Sequence, residues 1–275
     1  MPNVKLATGV DLYYETHGQG EALVFVPSTA YSGEVWKPSQ MPLADSLNLI
    51  FHDPRGCGRS VAEQSVYTIE LMAMDIVALM DHIGCPSAHF IGHSMGGRIA
   101  LSLAQNFPGR IKSLIMAAAG SGTAGRAGPD CVPGLPHQLV YELVEMGFEK
   151  FVRDEIVDSD TFFTADYRAG HGAEVEAFYK LAWETHARLP EFVHLVMARH
   201  SFEGTHRLQD VRCPTMVLIG DGDTVGSNHV AQAQVLADRI PGAELKVLEG
   251  QTHGFFWQDP ELTNDVILSW VKRHG

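Results

Sequence analysis

Ala88–Gly97, AHFIGHSMGG, is the stretch whose reading decides the fold. Ala88–Ile91 reads as a strand that runs straight into Gly92, and Ser94–Phe107 is apolar and helical until Pro108 ends it. Between them stands Gly92-His93-Ser94-Met95-Gly96, with Gly97 next, a G-x-S-x-G pattern set between a strand and a helix. The pattern alone is common; the strand-to-helix setting gives it meaning. Glycines permit the tight turn, and the serine is pushed out at the carboxyl end of the strand in strained backbone. Its hydroxyl lies beside a helix N-terminus, which favours developing negative charge. Ser94 is therefore the candidate nucleophile.

The same alternation of strand and helix continues outward. Asp11–Thr16, Leu23–Val26, Leu47–His52 and Ile111–Met116 read as strands, short and mostly without strict alternation, as strands covered on both faces do. Thr68 is a fitting N-cap for a helix carrying Met72, Ile76, Leu79, Met80 and Ile83 on one stripe and ending at Gly84. This alternation predicts an α/β fold with a mostly parallel central sheet flanked by helices. After Gly120 the sequence becomes rich in Gly, Ser, Ala and Pro as far as Gly134, a loop or hinge, and from about Pro136 to Glu203 helical periodicity dominates. Residues 121–207 are expected to form an inserted helical cap, with residues 1–120 and 208–275 as the core. The α/β pattern resumes with a strand at Thr215–Ile219, a helix near His229–Ile240, a strand at Ala243–Leu248 and a last helix.

A serine hydroxyl is a weak nucleophile until a base takes its proton, so an acid and a histidine should follow in the order Ser, Asp, His. Asp223 lies three residues past Gly220, just after a strand, and His253 follows the last strand in Gly250-Gln251-Thr252-His253-Gly254. Fourteen histidines make any single one weak support, and His253 is chosen for its position. Asp221 competes with Asp223 in the same loop; Asp223 is preferred because three residues let the chain leave the strand first.

Composition bounds the rest. The 275 residues are 45% hydrophobic and 19% charged, with net charge −13. A nucleic-acid partner would need a basic footprint, which is missing. Cys57, Cys85, Cys131 and Cys213 form no CxxC pair or zinc spacing and read as four reduced thiols. No signal peptide or membrane-length apolar run is visible, so a cytoplasmic location is expected.

With these motifs, the chain resembles the α/β-hydrolase superfamily over nearly its whole length except the cap, and is closest to bacterial esterases, enol-lactonases and cofactor-free haloperoxidases. The matching pieces are Gly92–Gly97, Asp53-Pro54-Arg55-Gly56-Cys57-Gly58-Arg59-Ser60, Asp223 three past Gly220, and His253 with Pro260 seven on. The resemblance implies that the Asp53–Ser60 loop braces the active-site floor. Dehalogenase and epoxide-hydrolase branches carry Asp at the elbow, so Ser94 excludes them. The family also implies an oxyanion hole from two backbone amides, which fall here on Thr29 and Met95. The usual His-Gly before the first of these is replaced by Pro27-Ser28. Pro27 has no N–H to give, and Ser28 is expected in an ordinary backbone region.

The function expected is hydrolysis of a carboxylic ester or lactone of a small to medium apolar substrate through an acyl-enzyme. Two alternatives remain: a carbon–carbon bond hydrolase of diketone-type substrates, although such enzymes usually carry Asn where His93 stands, and a ligand receptor on a hydrolase fold with little turnover. Tyr31, Trp183 and Phe255 are the candidate substrate contacts. No cofactor and no metal are implied; the partner is a small-molecule substrate, without nucleic acid or membrane, on a monomer or homodimer.

Overall fold

A computed structural model describes residues 3–62, 66–122, 137–225 and 229–275. Among these residues the strands are β1 (Asn3–Leu6), β2 (Val10–His17), β3 (Glu21–Val26), β4 (Leu47–His52), β5 (Val61–Ala62), β6 (Ala88–His93), β7 (Ile111–Ala117), β8 (Thr215–Gly220) and β9 (Glu244–Leu248). They form one sheet in the order β1-β2-β4-β3-β6-β7-β8-β9, with β5 on β2. All pairings along β4-β3-β6-β7-β8-β9 are parallel. β1, β2 and β5 join by antiparallel pairs. Every residue of β6 and β8 is buried, so neither strand shows the alternation of a half-exposed one.

Parallel neighbours require crossovers, and the helices supply them. After the short α1 (Lys37–Gln40), α2 (Ile69–His82) links β4 to β6 and α3 (Met95–Asn106) links β6 to β7. The Thr68 hydroxyl caps α2 by accepting from the Leu71 amide at 3.0 Å. α9 (His229–Arg239) links β8 to β9, and α10 (Phe255–Gln258) and α11 (Pro260–His274) close the chain. In the core Phe25 stacks on Phe51 at 4.7 Å, and Trp36 meets Phe256 at 4.5 Å.

Between β7 and β8 the described residues are helical: α4 (His137–Met146), α5 (Phe148–Arg153), a π-helical turn at Asp154–Asp158, α6 (Ala165–Gly170), α7 (Gly172–Glu184) and α8 (Leu189–Ser201). The stretch read as a hinge lies, from residue 123, outside the described residues. The helical segment is fastened to loops at the carboxyl ends of three strands. Ala187 N–H donates to the Ala30 carbonyl after β3 at 2.8 Å, and Gly58 N–H, after β4, donates to the Thr185 carbonyl at 3.0 Å. After β9, the Phe162 carbonyl accepts from Gly254 N–H and from the Thr252 hydroxyl, both at 2.7 Å.

The Asp53–Ser60 loop is held by its own polar groups. The Asp53 carboxylate accepts from Gly33 N–H at 3.0 Å and Arg59 N–H at 2.9 Å. Arg55, almost wholly buried, donates from Nε and Nη2 to the two Asp75 oxygens, each at 2.7 Å. Cys57, Cys85 and Cys213 are free thiols; Cys131 lies outside the described residues. No described helix is long and apolar enough to cross a membrane.

Candidate active site

Ser94 occupies the turn between β6 and α3 with φ 54° and ψ −115°, a backbone region that L-residues rarely adopt. Its N–H donates to the Ala117 carbonyl at 2.8 Å. The turn is packed so closely that side chains are excluded around it. A Cβ at Gly92 would lie 2.3 Å from the Gly96 carbonyl oxygen, and one at Gly96 would lie 2.1 Å from that of Val26. The strained serine is therefore a consequence of three backbone segments meeting, and the Ser94 side chain lines a narrow cavity of about 60 Å³.

His253 lines the same cavity from the loop after β9. Its Nδ1 lies 2.8 Å from Asp223 Oδ2, and both side chains are buried. The other Asp223 oxygen accepts from Val225 N–H at 3.0 Å. Asp221, two residues earlier, is exposed and accepts from Gly250 N–H at 2.8 Å, a loop-bracing contact away from the histidine. The loops bearing Asp223 and His253 are tied together through Gly222 N–H to the Gln251 carbonyl at 2.9 Å. His93, inside the elbow, places Nε2 2.9 Å from the His253 carbonyl, and the two rings lie 4.4 Å apart. His93 thus positions the backbone of His253, a role that sequence reading had not given it.

Ser28 and Thr29 keep negative φ, and the left-handed residue of this loop is Ala30 at φ 68°. Among the described residues Thr29 N–H donates to no backbone carbonyl, and Thr29 lines the cavity with Ser94. Met95 is the first residue of α3, so its amide is one of the helix's unpartnered initial donors. The Thr29 hydroxyl is engaged elsewhere, accepting from Arg199 Nη1 at 3.2 Å.

Of the expected substrate contacts, only Tyr31 lines the cavity. Trp183 sits one layer back, its ring 5.7 Å from Phe148 and 6.2 Å from His186. Phe255 is wholly buried against His93 and Phe256, so it supports the site without facing it. An aromatic next to a site residue in sequence, or within the right segment, can point into packing. The cavity walls are instead Phe151, Phe162, His186 and Phe192, with Glu155 and Arg199 as charged members. Burial pushes the His186 imidazole down to about 4, so it faces the cavity neutral. Burial pushes the Glu155 carboxyl above its ordinary range, with His253 and Arg199 opposing. Nothing in the charged run Arg153-Asp154-Glu155 distinguishes the second acid as inward-facing. Among the described residues no group of three or more His, Cys, Asp or Glu side chains is arranged to hold a metal.

The profile described as alpha/beta hydrolase fold matches residues 21–260 of the chain. A protein of Caulobacter sp. (strain K31) that carries the name of a carbamate hydrolase, RutD, is 27% identical, over 95% of this chain and 96% of its own. The 3-oxoadipate enol-lactonase 2 of Acinetobacter baylyi is 29% identical, over 97% and 95% respectively. Among solved structures, Est816, described as an N-acyl homoserine lactone degrading enzyme, superposes with TM-score 0.79 at 26% identity, covering 95% of this chain and 97% of its own.

Proposed function

The chain belongs to the α/β-hydrolase fold family and is an enzyme of hydrolase type, and from that premise we propose a serine hydrolase that cleaves a carboxylic ester or lactone of a small to medium apolar substrate. The observation that carries this reading is the buried Asp223–His253 hydrogen bond of 2.8 Å opening onto the same cavity as Ser94 in its strained turn. A carboxylate on Nδ1 fixes the imidazole tautomer with its proton there, leaving Nε2 to accept the proton of Ser94. Ser94 Oγ then attacks the substrate carbonyl, and the charge on the carbonyl oxygen falls to the amides of Thr29 and Met95. Each such donor is worth roughly 3 kcal/mol at the transition state. Collapse expels the alkoxide, which takes the proton from His253 and leaves the acyl group on Ser94. Water, deprotonated by the same imidazole, releases the acid. Residues 121–207 act in this reading as a lid, supported by the aromatic side chains of α5 and α8 that line the cavity. The aromatic walls favour apolar substrates, and the lactone option gains support from relatives named for lactone cleavage.

The test is labelling of the wild-type protein with a fluorophosphonate, mapping of the adduct, and turnover of aryl esters and lactones by wild type and Ser94→Ala. The adduct is expected on Ser94, and the variant should lose on the order of 10⁶ in kcat. A variant that folds and keeps more than about one percent of the rate would remove Ser94 from the chemistry.

A further inference from the structure

Glu155 lines the cavity that holds Ser94 and His253, yet the proposed hydrolytic cycle has no use for it. It sits on the π-helical turn Asp154–Asp158, between the buried side chains of Val152 and Ile156. A π turn shifts side chains out of α-helical register, and such turns recur at functional sites. From that turn Glu155 shares the cavity lining with Phe151, Phe162, Phe192 and Leu139, and with Arg199 and His253. Among the described residues that carboxyl makes no hydrogen bond and no ion pair. Burial pushes it above the ordinary carboxylate range, against the opposing influence of His253 and Arg199. A polar group facing apolar cavity walls costs stability unless something bonds to it, and no side chain among the described residues does. Arg199 lines the same cavity, and its positive charge disfavours a cationic ligand group there.

We infer that Glu155 is a specificity-determining residue that accepts a hydrogen bond from an uncharged donor, a hydroxyl or amide N–H, carried by the substrate beside its scissile carbonyl. This rests on the ester-hydrolase reading for the identity of that carbonyl. The class of substrate it selects is therefore a hydroxy- or amido-substituted ester or lactone, in preference to the plain apolar ester of the same length. The aromatic walls bind the hydrocarbon part in either case, so the preference is carried by one bond.

The experiment measures binding by isothermal titration calorimetry to Ser94→Ala, which is expected not to turn substrate over. Two ester pairs are used: p-nitrophenyl 3-hydroxybutanoate against p-nitrophenyl butanoate, and 2-hydroxyethyl butanoate against ethyl butanoate. In at least one pair the hydroxyl member should bind about tenfold tighter or more, as a hydrogen bond to a charged or strongly polar group provides. The double variant Ser94→Ala/Glu155→Leu should lose that preference. Ser94→Ala/Glu155→Gln should keep part of it, because the amide oxygen still accepts. Melting curves check the fold, and Glu155→Met replaces Glu155→Leu in the same comparison if the leucine variant lacks a cooperative transition. No preference in either pair, or a preference that survives the loss of the carboxyl, overturns the assignment. Turnover by Ser94→Ala at the wild-type rate would instead sink the serine-hydrolase reading, while the binding comparison still decides the role of Glu155.

Discussion

Replacing Asp223 by Asn, with Asp221→Asn as its control, tests the proposed acid at a single atom. The Asp223 carboxylate accepts at 2.8 Å from His253 Nδ1 in a buried setting, and its second oxygen accepts from Val225 N–H at 3.0 Å. Asparagine keeps one acceptor, which can serve Val225, and turns an NH₂ toward the imidazole. That NH₂ stabilises the tautomer with the proton on Nε2, which cannot take the proton of Ser94, and it leaves no charge to offset an imidazolium. The analogous change in a serine protease lowers kcat by about 10⁴. At 1.36 kcal/mol per decade this is roughly 5 kcal/mol of transition-state stabilisation. Asp221 is exposed, and its contact is with Gly250 N–H at 2.8 Å, which asparagine's oxygen can still accept. A surface change of that kind stays within about 0.5 kcal/mol, or roughly twofold in rate. The assay is kcat and kcat/KM on one p-nitrophenyl ester, with melting temperatures to show that both variants fold. A larger loss in Asp221→Asn would refute the assignment, and equal small losses in both would place the orienting carboxylate elsewhere in the chain.

The parts of the fold that were legible in sequence share a physical property: each shows its identity within a short window. Leu47–His52 is a strand in the structure with the same limits as in the sequence reading, and the helix begun by Thr68 carries the expected cap. β1 and β5 escaped because they have four and two residues, too short for any period, and are strands only because β2 pairs with them. At the site, backbone-determined features were readable. Gly92 and Gly96 are demanded because a Cβ there would come within 2.3 and 2.1 Å of backbone oxygens, and glycine is visible in a sequence as such. The direction of a side chain is not visible. Phe255 and Trp183 had suitable chemistry and neighbourhood, but Phe255 packs into the interior and the half-buried Trp183 packs against Phe148 and His186, whereas Glu155 lies in a charged run, on a π-helical turn, and lines the cavity. His93 is a similar case, since its bond to the His253 carbonyl joins residues 160 positions apart.

Two further outcomes are expected. Arg55→Ala should cost about 3–5 kcal/mol of stability, read as a lower denaturant midpoint, because it strands Asp75 in the interior after removing both 2.7 Å bonds; a loss below about 1 kcal/mol would show that the Asp53–Ser60 loop does not depend on that pair. The last concerns Glu155 and pH. Its carboxyl is raised in the folded protein above the 4.5 of an ordinary glutamate, so between those two values the native state binds more protons than the unfolded state. Stability then falls as pH rises through this window and levels off above the folded-state value. Glu155→Gln cannot titrate, so denaturant-unfolding free energies of wild type minus variant should be greatest at the acid end and settle to a lower plateau at neutral pH. A difference that is flat, or that rises with pH, would mean that the carboxyl has found a partner that stabilises its charge, and the case for a substrate donor at that position would fall with it.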